Sequence, residues 1–289
     1  MQLTIRHETH YAYSAPLAYT IQQLHLTPRI EPQQRALSWQ INTPGQCHAY
    51  TDAYGNLSQG YRPMRYDDVG NPTSNLIDGN DPDPSKTLSA EIGLRGAPIE
   101  GLFFDVSLFH IDFRNKIEQI QVSPGEVERV NSGDARHQGI EFAAEYDFLA
   151  GRNGSHLTAF ASASFLDAEI TESLTADLVG NTPAYAPQRV AKLGLIWRAF
   201  DDRLKLGLTG TAVSDQFWRD ANTATGNVVT FVAAEIPSYR VFDLNGEWKL
   251  NDHISLIGGI NNLADETYTS RVRSDGIEPA AERQTYFGI

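Results

Sequence analysis

From Arg240 to Leu250 apolar and polar side chains alternate residue by residue. Phe242, Leu244, Gly246, Trp248 and Leu250 share one face, and Val241, Asp243, Asn245, Glu247 and Lys249 share the other. A period of two belongs to a β-strand whose faces meet two different environments. Ile254, Leu256, Gly258 and Ile260 repeat the pattern, and Asn251-Asp252 between the two runs reads as a tight polar turn joining antiparallel neighbours. The same rhythm predicts strands over 57–64, 88–96, 102–120, 127–148, 157–170, 189–200, 204–217, 239–250, 253–263 and 285–289. Short turns at 151–154, 201–202 and 251–252 fall at one end of this series, and long polar loops at 171–188 and 218–237 fall at the other. Residues 67–85, rich in Asp, Asn, Gly and Pro, form a further loop. The fold class is therefore all-β, an antiparallel meander with neighbours in chain order paired. A soluble sandwich turns its apolar face inward, whereas a transmembrane barrel turns it outward to lipid. Alternation is common to both.

The first part of the chain is read separately. Leu3 and Ile5 alternate with polar neighbours in 1–13, and 23–29 and 37–41 read as two further short strands, a small β unit ahead of Asn56. No apolar run is long enough for a transmembrane helix, which excludes a helical membrane protein and leaves strands as the means of crossing. Residues 1–26 lack the basic start and apolar centre of a signal peptide. The net charge of −13 argues against nucleic acid as a partner. Cys47 is the single cysteine, so no internal disulfide forms.

Candidate chemistry is sparse. Cys47 and His48 could pair as thiolate and imidazole, but adjacent strand residues face opposite sides. His7, His10 and His25 lack the spacing of a closed ligand set, and Asp78, Asp81 and Asp83 lack that of a calcium loop and read as a solvated turn. Glu141, Glu145 and Asp147 share one face of a strand, where an acid pair or a polar barrel lining would sit; Phe142, Tyr146 and Phe148 occupy the opposite, lipid-side face. The sequence thus offers no catalytic, metal or cofactor site, and the chain is not expected to be an enzyme.

Four runs carry a family resemblance: 108–117, 130–141, 181–187, and 259–268 preceded by Ile236-Pro-Ser-Tyr239. In this order they resemble strand and turn signatures of TonB-dependent outer-membrane receptors of the ferric-siderophore and ferric-citrate type, with Asn262-Leu263-Ala264-Asp265 ending the penultimate strand. The resemblance implies part of a transmembrane β-barrel over 57–289, an outer-membrane location with lipid as a partner, and, in the full-length family, a ferric chelate and TonB. It implies no cofactor. About 22 strands make a complete plugged barrel, and neither the plug nor the segment that TonB grasps has a counterpart, so transport by this chain alone is not expected. Ligand contacts are sought in the outer loops, with Arg219, Asp220, Asn222 and Thr225 as candidates.

A second resemblance covers 1–56. Through Arg6-His-Glu-Thr-His-Tyr-Ala-Tyr13, Leu24-His-Leu-Thr-Pro-Arg29 and Thr51-Asp-Ala-Tyr-Gly-Asn56 this segment is similar to the amino-terminal β domain of bacterial transglutaminase-like proteins. The pair of resemblances implies an apparent chimera with a junction near Asn56. The alternative functions are then an accessory β domain of a transglutaminase-like protein, or a soluble β-sandwich binding module in which Phe242, Leu244, Trp248, Ile254, Leu256 and Ile260 pack against a second sheet.

Overall fold

The computed structural model describes residues 49–63, 82–123, 126–150, 154–223, 226, 235–273 and 276–289. Contacts divide the chain into two units, Met1–Gln46 and Cys47–Ile289, and every described residue belongs to the second. The small β unit expected before Asn56, with His7, His10, His25, Cys47 and His48, lies outside the described residues up to Ala49, as do Asp78, Asp81 and Thr225.

The strands are β1 (Tyr50–Arg62), β2 (Ser85–Ala97), β3 (Leu102–Ser123), β4 (Glu126–Asp147), β5 (Ser155–Ser173), β6 (Arg189–Ala199), β7 (Leu204–Val213), β8 (Gln216–Phe217), β9 (Glu235–Ile236), β10 (Tyr239–Asn251), β11 (Ile254–Asn261), β12 (Thr269–Arg273), β13 (Gly276–Pro279) and β14 (Gln284–Gly288). Ten of them make one sheet in the order β1-β2-β3-β4-β5-β6-β7-β10-β11-β14, and all its pairings are antiparallel. The all-β antiparallel meander expected from the alternation is thus the observed fold. β1 pairs residue by residue with β2 from Tyr50 to Arg62, so the expected change of resemblance near Asn56 falls inside a strand.

Three expectations are corrected. The run 204–217 is not one strand, because β7 ends at Val213 and β8 leaves the sheet to pair with β9. Pairing in strict chain order fails at the long-loop end, where β8–β9 and β12–β13 form separate two-stranded ribbons between sheet strands. The turn between β10 and β11 is Asp252-His253 rather than Asn251-Asp252, since Asn251 still pairs with Ile254. Asn251 Oδ1 accepts the N–H groups of His253 and Ile254 at 2.9 and 3.0 Å, and Leu250 becomes the extra residue of a bulge between Lys249 and Asn251. Read from sequence, Asn is equally at home as a turn residue or as the strand residue that caps it.

Cross-strand rows carry the apolar face from strand to strand. Gly55, Ile92, Leu108, Ile140 and Phe165 stand opposite one another across β1 to β5, and Leu195, Leu208, Leu244 and Ile260 across β6, β7, β10 and β11. Their large side chains face outward, Ile92 63%, Phe165 51% and Leu108 50% exposed, as do Leu193 and Trp248 in adjacent rows, and no second sheet of the described residues covers them. A sandwich would have buried them. The described residues hold only a small buried apolar cluster, Ile236 and Val272 with Trp218 packed against it, and it lies in the loops rather than under the sheet.

The sheet is held instead by its ladder and by side chains meeting across strands. At Gly194 an added Cβ would stand 2.6 Å from the Phe160 ring and 2.5 Å from the Leu208 carbonyl oxygen, so glycine is what lets the ring rest on the neighbouring strand. Gly133, at φ +147°, sits where the β3–β4 register shifts between Phe113 and Ile117, a backbone position few other residues adopt.

Candidate ligand pocket

A cavity lies at the long-loop end, where the pairing of β3 with β4 shifts register around Lys116 and Gly133. Asn115, at φ 56°, is fixed there: its N–H donates to Asp134 Oδ1 at 2.9 Å, and its carbonyl oxygen accepts from Ser85 Oγ at 2.7 Å and Asn131 Nδ2 at 3.1 Å. Asn131 Nδ2 also donates to the Asp83 carbonyl at 2.9 Å, and the Asp83 N–H donates to Asn131 Oδ1 at 2.6 Å. Asp83, read from sequence as part of a solvated turn, therefore anchors the start of β2 to β4.

The cavity has a volume of about 570 Å³. One row of directly opposed residues lines its inward wall: Gly60, Thr87, Phe113, Ala135 and Ile170, from β1 to β5. His137, two residues along β4 from Ala135 on the same face, meets Phe113 edge-on with ring centroids 4.8 Å apart. Its Nε2 is sealed from solvent without a partner among the described residues, a cost of about 1–3 kcal/mol that the surrounding wall carries. Arg62, Lys116, Asp134, Glu172 and Asp220 also line it, while Lys86 and Arg114, each next to a residue of the inward row, border it from strands whose alternation turns them to the outward face.

The opposite side of the cavity is made by loops, and here the sequence candidates are found. Asp220 lines the cavity, pairs with Lys116 Nζ at 3.1 Å and accepts the Ala184 N–H at 2.7 Å. Asn222 exchanges two bonds with Thr182, its Oδ1 accepting the Thr182 N–H and its Nδ2 donating to the Thr182 carbonyl, each at 2.7 Å. Arg219 places its guanidinium 3.8 Å from the Trp218 ring centroid. Asn181 Nδ2 donates to the Asp220 carbonyl at 3.0 Å, Tyr185 N–H to the Phe217 carbonyl at 2.8 Å, and the Tyr185 hydroxyl to the Val272 carbonyl. The loops after β5, β7 and β11 are thus tied to one another, with Asn222 spent on the tie and Asp220 shared between tie and cavity. A turn of 3-10 helix, Ala176–Leu178, was not anticipated in the first of these loops.

Phe113, Lys116 and His137 were missed as site residues. Strict alternation assigns a face only while the register holds, and the bulges that bring Lys116 to the cavity leave no sequence mark beyond Gly133 and Asn115. The run Asn262-Leu263-Ala264-Asp265 does show its role: Asn262 Oδ1 accepts the Glu266 N–H at 2.8 Å, its own N–H donates to Asp243 Oδ1 at 2.9 Å, and Asp265 Oδ1 accepts the Arg283 N–H at 3.0 Å. It pins the last long loop to the end of the sheet.

At the short-turn end, Asp147 is not an open lining carboxylate. It accepts His156 Nδ1 at 2.6 Å and the N–H groups of Leu149 and Leu157 at 3.0 and 3.2 Å. Burial opposes ionisation there, but these hydrogen bonds and the nearby imidazole outweigh it and hold the Asp147 carboxyl below its usual range. Glu141 and Glu145 keep the inward face that alternation gave them, opposite Ser107 and Phe103. On the outward face Phe142 is exposed, and Tyr146 meets Phe148 edge-on at 4.9 Å, the position of an interfacial aromatic pair.

An uncovered apolar outward face, a polar inward face, short turns at one end and tied loops at the other are the parts of a membrane barrel wall. The sequence model of the family described as TonB dependent receptor-like, beta-barrel, matches residues 5–263. The chain belongs to this family. Among curated relatives of this receptor-like barrel, the ferrichrome outer membrane transporter/phage receptor of Escherichia coli (strain K12) is 28% identical over 218 residues, which are 72% of this chain and 26% of the relative. The ferrienterobactin receptor of the same strain is 26% identical over 193 residues, 66% of this chain and 25% of the relative. The chain therefore spans about a quarter of the length of these relatives. A crystal structure of a ferric citrate transporter in unliganded form superposes with a TM-score of 0.65 at 22% identity, over 82% of this chain and 35% of that one, which shows the shared fold.

Proposed function

We propose that this chain forms the wall and outer mouth of an outer-membrane receptor that takes up a ferric chelate in a TonB-dependent way, and that the cavity between β1–β5 and the tied loops is where the chelate first binds. The single observation that carries the reading is the reversed sheet, with Ile92, Leu193 and Trp248 outward and uncovered. Such a face is stable against outer-membrane lipid and unstable against water. The named activities of the two curated relatives, transport of ferrichrome and reception of ferrienterobactin, point the same way. The role is that of a receptor and not of an enzyme, with lipid, a ferric chelate and TonB as partners and no nucleic acid.

Surface expression tests it. Delivered through a secretory signal in a strain stripped of its own ferric-siderophore receptors, the chain should fractionate with the outer membrane and add surface binding of radiolabelled ferric chelates above the empty-vector level. Recovery in the aqueous fraction alone, or membrane insertion with no added chelate binding, would overturn the proposal.

A further inference from the structure

The outward face differs at its two ends. At the short-turn end it carries Leu94 on β2, Trp197 on β6, and Trp248 and Leu250 on β10, with no charge among them. At the long-loop end the first outward position of each of these strands is a cation: Lys86 on β2, Arg189 on β6 and Arg240 on β10. Arg114 of β3 stands directly opposite Lys86. Each strand continues inward from its cation into the exposed apolar face, through Leu88, Leu193 and Phe242. We propose that this basic band seats phosphate-bearing lipid headgroups of the leaflet at the long-loop end, with Lys86 and Arg114 holding one phosphate between them; the proposal rests on the membrane wall of the receptor reading above.

The charge left free on the band is positive. Its acids are engaged within the sheet: Asp112 Oδ1 lies 3.2 Å from His110 Nε2, Asp167 accepts from Gln138 Nε2 at 2.9 Å, and Glu169 pairs with Arg136 at 2.6 Å. Asp134 is taken up by the Asn115 N–H. Lys86, Arg114, Arg189 and Arg240 are exposed and make no ion pair among the described residues. Like charges directly opposite on neighbouring strands repel, so the Lys86–Arg114 pair is where an anion brings the most relief. A phosphate offers oxygens to the Lys86 ammonium and to the Arg114 guanidinium fork at once. What favours a lipid over free phosphate is the surface below: acyl chains hanging from that headgroup would lie along Leu88, Ile92 and Leu108, which a bare ion leaves uncovered. Charge that only ended the apolar band would serve at both ends, and at the short-turn end Trp197 and Trp248 do that work without it.

The test uses the whole chain, folded in zwitterionic detergent micelles and checked by the heat-dependent gel shift of an intact barrel wall, with retained lipid measured by native mass spectrometry. The probes are dioleoyl phosphatidic acid, dioleoyl phosphatidylcholine and inorganic phosphate. Phosphatidic acid should bind about tenfold or more tighter than phosphatidylcholine. The double variant Lys86→Gln/Arg114→Gln should lose about tenfold for phosphatidic acid and hold phosphatidylcholine as the parent does. Lys249→Gln, on the inward face at the other end of β10, should bind both lipids as the parent does. Equal affinity for the two lipids, or an equal loss in Lys249→Gln, overturns the band as a phosphate seat and leaves the receptor reading intact. Inorganic phosphate that displaces phosphatidic acid at equal concentration overturns the lipid as its occupant. A folded chain that retains neither lipid and stays in the aqueous phase when detergent is exchanged for vesicles overturns both readings.

Discussion

Asp147 shows how one carboxylate can close a turn. Three donors converge on it, from His156, Leu149 and Leu157, and its side chain is 17% exposed, so little water is left to replace them. Because its folded value lies below the unfolded one, the stability it contributes is complete above the ordinary carboxylate range and is lost as pH falls through the lowered value. Asp147→Asn keeps one acceptor oxygen and loses the charge. It should destabilise the protein by about 1–2 kcal/mol at neutral pH, and the gap to the parent should close as the medium is acidified below about pH 4. Urea unfolding in lipid vesicles, followed by tryptophan fluorescence across pH, measures this; a gap that stays constant into acid would show that the charge is not what the turn uses.

At the scale of elements, the outer loops behave as one tied body because short polar side chains reach across sequence. Asn222, at φ 45°, both adopts a backbone few residues tolerate and clasps Thr182 forty positions away. Asn222→Gly keeps the backbone freedom and removes the clasp. Amide exchange at Thr182 should then quicken by about five- to tenfold, the equivalent of one lost hydrogen bond, while β6 and β7 exchange as before. Unchanged protection at Thr182 would mean that the remaining contacts, Asp220 with Ala184 and Tyr185 with Phe217, hold the loops without it. Among the described residues β1 and β14 end the sheet order, and a strand edge without a neighbour invites further strands.

At the scale of the molecule, stability depends on which solvent each face meets. Leu244 stands on the exposed apolar face of the sheet and Asn245, its neighbour, on the opposite face; in the proposed barrel the first meets lipid and the second the lumen. Leu244→Arg should cost about 2–4 kcal/mol in a bilayer, whereas Asn245→Arg should cost well under about 1 kcal/mol, since a lining position already meets water. The same unfolding measurement in vesicles compares them, and equal costs would deny the reversed arrangement. Without detergent or lipid, the outward face and the sheet edges should drive self-association at micromolar concentration, visible by light scattering.

The sequence by itself determined the strands. Period-two alternation is a local property, so the central positions of β2 to β7, β10 and β11 could be read without knowing any partner, and the meander followed because short turns leave antiparallel neighbours as the nearest pairing. Alternation could not say which face meets water, because Leu244 opposite Ile260 reads alike in a sandwich and in a barrel; the uncovered outward rows decided that. Nor could it place the cavity. Phe113, Lys116 and His137 come together only because β3 and β4 slip register at Asn115 and Gly133, and Asp220 reaches them across a hundred residues of chain. A register shift costs one residue in sequence and moves every side chain beyond it to another face, so its outcome belongs to the paired strands and not to either strand alone.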